Sequence, residues 1–278
     1  MPELPEVETV RCGLEDAILG HRVEFVQVHR YDLRQLIPQD FRQFLTGRRI
    51  ETLIRRGKYI IFDFGDKHYA VLHLGMSGRV RIFEPSESYL ARKHDHVVIR
   101  TNGDVCFAFE DPRRFGMFYS IVDSGWQDHP PFNVMGPEPL SSEWSGEHLY
   151  ARLKRKKAPI KNALLDQHIV AGLGNIYVCE ALYRSAIHPQ RMSQDLSVTE
   201  CDSLVDSVRV ILEQAIQVGG SSLKDHQKTD GTLGYFQHHF SVYGREGEMC
   251  NQQGCDSVIM RITQAGRSTF YCPICQKT

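Results

Sequence analysis

Position 2 of this chain is a proline and position 3 a glutamate, and these are the first residues whose types could carry covalent chemistry. Once the initiator Met1 is removed, Pro2 presents a secondary amine instead of an amide. Free α-amino groups titrate near roughly 7.7–8.0, against about 10.4 for lysine, so part of the population is unprotonated at neutral pH. Such an amine attacks an electrophilic carbon and forms an iminium ion. Glu3 is the nearest proton donor or acceptor, and Glu6 adds a second carboxyl one helical turn on. Taken alone, PELPE at 2–6 also reads as an ordinary helix start, with Pro5 and acidic residues in the first turn.

A second group is more specific. Cys250 and Cys255 are separated by four residues, and Cys272 and Cys275 by two, with sixteen residues between the pairs. Two close pairs of thiolates about a hairpin apart form a tetrahedral structural zinc site. A tail of under about 40 residues does not build a core of its own, so metal is the expected staple. Two disulfides would need an oxidising compartment, and no secretion signal precedes them. A closed four-sulfur site has no open position and does no chemistry. Cys12, Cys106, Cys179 and Cys201 show no pairing pattern and read as buried thiols.

Cations and exposed apolar residues form the third group. Arg42, Arg48, Arg49, Arg55, Arg56 and Lys58 face only Glu51 between residues 42 and 58, and Arg152, Lys154, Arg155, Lys156, Lys157 and Lys161 form an acid-free cluster. Either alone reads as a solvated face; two in a protein of net charge −1 suggest a track for a polyanion. Lys58 follows Gly57 and precedes an apolar strand, and Arg267 sits near the tip of the cysteine-bearing hairpin. Gly75-Met76-Ser77-Gly78 and Asp111-Pro112-Arg113-Arg114-Phe115-Gly116 place Met76 and Phe115 on turns. Taken singly these residues read as core packing or solvated turns, but apolar residues on turns also suit wedges pushed into a base stack. His94-Asp95-His96 lacks a third metal ligand nearby.

The elements that position these residues are legible in outline. Val7, Val10, Leu14 and Ile18 recur at helical spacing up to Gly20, which predicts an amphipathic first helix. Short strands are expected at 22–29, 59–64, 68–74, 79–83, 96–100, 104–109 and 117–122, with Asn102-Gly103 as a hairpin turn, so a β-sandwich with the helix packed on it is predicted. Pro130, Pro131, Pro137 and Pro139 mark a linker. Helices follow near 146–156, 160–167, 174–185 and 197–217, the middle two joined by the glycine turn at 170–175, either a plain hairpin or a relative of the helix–turn–helix. The expected class is α+β and multidomain: a catalytic β-sandwich domain at 1–123, a linker at 124–145, a helical domain at 146–240 and a zinc ribbon at 241–278. The long aperiodic stretch 219–241 reads as functional or disordered. No run reaches the length of a membrane span and no apolar leader opens the chain, so a cytoplasmic protein is expected.

Together these residues resemble the formamidopyrimidine-DNA glycosylase family, bacterial repair enzymes for oxidised purines. The resemblance is carried by PELPEVETV at 2–10, GKY at 57–59, HLGMSGR at 73–79, KHDH at 93–96 and DPRRFG at 111–116. It continues through GPEPLS at 136–141, AGLGNIY at 171–177, GYF at 234–236, VYGREGE at 242–248 and RSTFYCPICQ at 267–276. PELPE is closer to this branch than to its sister, endonuclease VIII. Glu110 departs from the pattern, since a small polar residue is commoner there. The resemblance implies a β-sandwich domain, a helical domain with a helix–two-turn–helix and a terminal zinc ribbon, with duplex DNA in the cleft. It implies Pro2 as nucleophile, Glu3 as proton donor, and Lys58 and Arg267 as donors for β- and δ-elimination. His94, Arg113 and Lys157 fall on DNA contacts, Asn175 with Arg267 on a phosphate clamp, and Met76, Arg113 and Phe115 on the residues that fill the gap left by a flipped nucleotide. Lesion choice is expected in 219–241. One structural zinc and no catalytic cofactor are implied, with a monomer acting on DNA that contains oxidised bases or abasic sites. A DNA-binding module without activity would keep the ribbon and basic clusters but lose Pro2 or Glu3, and a zinc-ribbon interaction factor would need neither the terminal proline nor the wedge.

Overall fold

In the computed structural model, residues 1–221 and 234–277 are described. The chain divides into two compact units: Met1–Asn133 with the described part of Val218–Tyr235, and Val134–Gln217 with the chain from Phe236 onward.

The first unit opens with α1 (Leu4–Ile18), which buries Leu4, Val7, Val10, Leu14 and Ile18 along one stripe. Two antiparallel sheets follow from β1 (Val23–Val28), β2 (Thr52–Arg56), β3 (Tyr59–Asp63), β4 (His68–His73), β5 (Arg79–Phe83), β6 (Asp95–Thr101), β7 (Cys106–Glu110) and β8 (Met117–Val122), with the short α2 (Phe41–Leu45) between β1 and β2. One sheet runs β1-β6-β7-β5 and the other β2-β3-β4-β8. Their inner faces meet through aromatic rings: Phe62 of β3 stacks on Phe107 of β7 at 6.0 Å, and Phe118 of β8 meets Phe109 of β7 edge-on at 6.3 Å. The predicted sandwich is therefore present, and α1 packs on β2, β3 and β5. Two elements were not anticipated. β2 carries Arg55 and Arg56, so its sequence reads as a charge run, and α2 is five residues long, too short for a periodic signal. β7 starts at Cys106, not at 104, because Asp104 adopts φ 58° in the turn after β6.

The second unit holds α3 (Gly146–Leu153), α4 (Ile160–Leu164), α5 (Asn175–Arg184), α6 (Val198–Gln217) and the hairpin β9 (Met260–Gln264) with β10 (Arg267–Tyr271). α3 starts where Ser145 Oγ accepts from the His148 amide at 3.1 Å, and α6 where Ser197 and Glu200 cap each other's amides at 3.2 and 2.8 Å. α4 ends at Leu164, earlier than expected, because Gln167 takes over the turn that follows. Its Nε2 donates to the Leu165 and Leu173 carbonyls at 3.2 and 3.1 Å, and its Oε1 accepts from the Gly172 amide at 2.8 Å.

Candidate active site

The start of α1 buries the two residues with the most pointed chemistry. Pro2 is buried, and Glu3 is 2 % exposed. Glu6 fixes the backbone here, since its Oε2 accepts from the Glu3 amide at 2.8 Å. Its Oε1 accepts from the Ser221 amide and hydroxyl at 2.8 and 3.0 Å. Gly220 lies so near that a β-carbon there would stand 2.9 Å from Glu6 Oε1. One carboxylate thus holds both the entry to α1 and the chain at 220–221. Sequence spacing suggests Glu6 as a spare acid; its partner, 215 residues away, has no local signature. Residues 222–233, the greater part of the expected lesion-recognition stretch, lie outside the described residues.

Lys58 lies in the two-residue turn Gly57-Lys58, closed by the pairing of Arg56 with Tyr59. Gly57 has φ 56°, which this turn requires at its first position. Arg55 ties the turn to α1, its Nε donating to Glu8 at 2.8 Å and its Nη1 to the Gly57 carbonyl at 3.3 Å. The elements that carry Pro2 and Lys58 are therefore joined by a half-buried ion pair. Lys58 itself is 8 % exposed.

Met76 and Phe115 stand on two turns that are locked together. Asp111, wholly buried, accepts from Ser77 Oγ at 2.6 Å and from the Gly116 amide at 2.8 Å. The Arg113 amide reaches Ser77 Oγ at 3.2 Å, and His96 Nε2 donates to the Asp111 carbonyl at 2.7 Å. Gly75, at φ 67°, lets the backbones touch, since a β-carbon there would sit 2.4 Å from the Phe115 carbonyl carbon. Phe115 is 45 % exposed and the Arg113 guanidinium lies 4.9 Å over its ring. An exposed aromatic on so rigid a base suits insertion more than packing.

His73 closes β4 beside these turns. Its Nδ1 accepts from the Gly75 amide at 3.0 Å. Burial, then the Lys58 ammonium and the Arg34 guanidinium, push its imidazole down to about 4. His94 is half-buried one residue ahead of Asp95. Asp95 and His96 are engaged inside the protein, Asp95 by both oxygens to Arg81 at 2.7 and 2.8 Å. The metal reading of 94–96 has no place here.

In the second unit, Lys161 is buried at 0 % exposure and donates to the Ser268 carbonyl at 3.1 Å and to Thr269 Oγ1 at 2.6 Å. Asn175 Nδ2 donates to the same Ser268 carbonyl at 2.8 Å. Arg267 is the exposed residue just before it, at the end of a tight turn through Ala265 and Gly266 with φ 46° and 72°. Asn175 and Arg267 are thus brought together through the backbone between them. Lys161 does not belong to a surface track: it holds the ribbon. The rest of that cluster is divided too. Lys156 pairs with Asp166 at 2.7 Å and Arg152 donates to the His168 carbonyl, while Lys154, Arg155 and Lys157 are exposed. In the first cluster, Arg55 is spent on Glu8, and Arg48 lies 5.0 Å over the Phe44 ring.

The Sγ atoms of Cys250, Cys255, Cys272 and Cys275 all lie within 4.8 Å of one another. Cys250 is 3.8 Å from Cys275 and Cys255 is 3.7 Å from Cys272. Four thiolates about 2.3 Å from a tetrahedral ion stand about 3.8 Å apart, so the spacing fits a bound metal. The amides of Cys275 and Ile274 offset burial at Cys272 and bring its thiol down, whereas burial and the neighbouring thiols push Cys275 up, so the convergence of the four sulfurs is what points to a metal. Tyr183 Oη lies 3.1 Å from Cys250 Sγ, which links α5 to the cluster.

Comparison with known proteins agrees with this arrangement. The family model for the formamidopyrimidine-DNA glycosylase N-terminal domain matches residues 1–118, and the model for the H2TH domain of the same enzymes matches 135–227. The formamidopyrimidine-DNA glycosylase of Ruegeria pomeroyi is 48 % identical over the whole of both chains, and that of Cereibacter sphaeroides 47 %. The chain belongs to the formamidopyrimidine-DNA glycosylase family. Among solved structures, a Lactococcus lactis Fpg mutant in complex with Fapy-dG-containing DNA matches with a TM-score of 0.89 at 36 % identity, covering both chains completely. The MutM (Fpg) protein of Thermus thermophilus matches with a TM-score of 0.86 at 37 % identity, over 99 % of this chain and 98 % of that one.

Glu110, read from the sequence as a departure, is engaged inside the protein. It is buried and accepts from Arg79 Nη2 at 2.6 Å and from Arg81 Nε at 3.1 Å. Arg81 also grips Asp95, so Glu110 extends one charged network from the strand end beside Asp111 to the start of β6. The acid therefore stiffens the base of both turns. Among the described residues, no helix is long and apolar enough to cross a membrane.

Proposed function

We propose that this protein excises oxidised purines, 8-oxoguanine and formamidopyrimidines, from duplex DNA and cleaves the abasic site by β,δ-elimination. One observation carries the reading above the others. Pro2 and Glu3 are buried at the start of α1, held by Glu6 and joined through Glu8 and Arg55 to the turn that bears Lys58. Structural relatives bound to Fapy-dG, carbocyclic 8-oxo-G and abasic-site DNA support the substrate class.

A base inside a duplex is out of reach, so the nucleotide is turned out at a cost of a few kcal/mol. Met76, Arg113 and Phe115 fill the gap that it leaves. With Met1 removed, the Pro2 nitrogen attacks C1′ while Glu3 transfers a proton to help open the deoxyribose. The glycosidic bond breaks, the base departs and an iminium takes its place. This electron sink acidifies the C2′ proton, the 3′ phosphate leaves by β-elimination, and a second elimination releases the 5′ phosphate. Lys58 and Arg267 serve these elimination steps as donors. His94, Arg113 and Lys157 contact DNA, and Asn175 with Arg267 forms a phosphate clamp, the cations contributing to the salt dependence of binding.

Four thiolates at this spacing suit one structural zinc. Bound there, it would cross-link the ribbon and supply no step of the reaction. We place the protein as a monomer in the bacterial cytoplasm, in use at the chromosome.

Borohydride trapping tests this function. Reduction during turnover of 8-oxoguanine DNA should yield a stable adduct that peptide mapping places on the terminal proline. A tag left ahead of Pro2 should abolish trapping, because the nitrogen becomes an amide. Glu3→Gln should bind lesion DNA yet lose about 10²–10⁴-fold in base excision. An adduct on Lys58, or wild-type excision by Glu3→Gln, would overturn these assignments.

A further inference from the structure

The strand pairing beside His94 is irregular, and side chains supply what the ladder lacks. β6 pairs with β7 at Asp95↔Glu110 and next at Val97↔Phe109, so His96 is one residue more than the partner strand matches. Such a bulge disrupts the ladder locally and bends the strand that carries it. Just ahead of it, Arg92 to Asp95 form the turn that presents Lys93 and His94. The ends of this turn hold each other. The Asp95 amide donates to the Arg92 carbonyl at 3.1 Å, and the Arg92 amide donates to Asp95 Oδ2 at 2.8 Å. Arg81 Nη2 donates to both oxygens of Asp95 and its Nε to Glu110 at 3.1 Å, which ties the turn to the end of β7. Glu110 also takes Arg79 at 2.6 Å, and Arg92 Nη1 stands 3.8 Å from it. Beside this network the Asp111 amide donates to the His94 carbonyl at 3.0 Å.

We propose that Glu110 is a positioning residue for DNA binding, which through Arg81 and Asp95 sets where His94 stands relative to Arg113. The inference rests on the reading of His94 and Arg113 as DNA contacts. Arg113 lies three residues past Glu110 and its amide is held at Ser77, so β7 carries that contact directly. His94 comes from a different strand, across a bulge, and one backbone bond to Asp111 does not fix its tilt. The carboxylate supplies the missing restraint. It is the anion shared by Arg79 and Arg81, whose side chains are mostly shielded from water, and it keeps Arg81 aimed at Asp95. An amide in its place keeps the size of the side chain but removes the charge, and Asp95 is then the acid left to the arginines around it. Removing one member of a buried ion pair leaves its mate uncompensated. Asp95 is already in contact with Arg81 and closes the His94 turn, so that turn is what gives way.

A double-mutant cycle tests this, read as affinity for a duplex that carries a tetrahydrofuran abasic analogue. His94→Ala and Glu110→Gln should each weaken binding about 10-fold, and the double variant should bind no worse than either alone. The effect of Lys157→Ala, made in the second unit, should be the same in wild type and in Glu110→Gln. Excision of 8-oxoguanine at saturating enzyme should run near the wild-type rate in Glu110→Gln, because no reacting group has been removed. Hydrogen exchange of the wild-type protein gives a readout that does not depend on whether any variant folds. The Asp111 amide should exchange as slowly as the amides of the regular part of the β6–β7 ladder. In Glu110→Gln that amide should exchange faster while the regular ladder stays slow. Wild-type affinity of Glu110→Gln overturns the proposal, and so do additive losses in the double variant or a fast-exchanging Asp111 amide in the wild type. Wild-type binding by His94→Ala would instead overturn the reading of His94 itself, and the proposal with it.

Discussion

Replacing Asp111 by alanine should separate the two turns that bear Met76 and Phe115, and the size of the effect follows from what the carboxylate holds. Asp111 is wholly buried and accepts two short bonds, from Ser77 Oγ at 2.6 Å and the Gly116 amide at 2.8 Å. Its contact with the Arg113 amide is longer, at 3.3 Å, and counts for less. Hydrogen bonds to a charged group contribute about 1.5–3 kcal/mol each. Losing two good ones, and leaving a hydroxyl and an amide buried without them, should cost about 3–6 kcal/mol. Against a typical total of about 5–15 kcal/mol this is a large share. Ser77→Ala removes one of the two and should cost about 1.5–3 kcal/mol. Urea unfolding followed by fluorescence reads both values. Single-turnover excision of 8-oxoguanine, run beside cleavage of a preformed abasic site, reads the function. Both variants should lose excision more than abasic cleavage, because unstacking a paired base is the step that needs the wedge. A shift below about 0.5 kcal/mol for Asp111→Ala, the range of an ordinary surface change, would refute the claim that this carboxylate joins the turns.

Acid should destabilise the fold through His73. Its imidazole is held at about 4, below the ordinary value of 6.5, so between these pH values the unfolded chain binds the extra proton. The contribution is intact above pH 6.5 and is lost as pH falls toward 4, on the order of 3 kcal/mol in all. Unfolding midpoints of wild type and His73→Asn over pH 4–7 should converge toward low pH; parallel curves would contradict this. Lys161→Ala should weaken DNA binding although Lys161 is buried, because Arg267 loses the neighbouring anchor at Ser268. An unchanged salt slope with unchanged affinity would show that Arg267 does not depend on it. Cys272→Ser should lower the metal content from one ion per chain, measured by atomic emission, and weaken DNA binding while the far-ultraviolet signature of the sandwich persists; wild-type protein without metal would contradict the ribbon assignment.

What could be read from sequence was what neighbours in sequence decide. The first helix was legible because Val7, Val10, Leu14 and Ile18 repeat within the helix itself. The cysteine cluster was legible because ligand spacing is a local property, and the four sulfurs do converge. Charge was the poorest guide. Arg55 and Lys161 read as surface cations, yet one is paired with Glu8 and the other is inside the protein beneath Ser268 and Thr269. A lysine's type does not reveal whether a carbonyl and a hydroxyl await it 107 residues on. The same holds for the link between Ser77 and Asp111 and for the grip of Glu6 on Ser221, which are made by the fold and leave no spacing to find. The residues with the most pointed chemistry were visible from their types; those that aim them were not.

The clamp on the Ser268 carbonyl has a consequence for chain length. Arg267 pairs with Gln264 across a turn of two residues, and the next carbonyl already serves both Asn175 and Lys161. One residue added at the tip would have two outcomes. If the strands kept their pairing, the tip would bulge and carry Arg267 away from its place. If β10 slid to absorb the addition, each side chain would change faces, and the buried Thr269 would trade places with a neighbour. Substitution at the exposed Ala265 should be tolerated wherever the new side chain accepts its backbone angles, whereas insertions and deletions between Gln264 and Ser268 should be absent from active relatives.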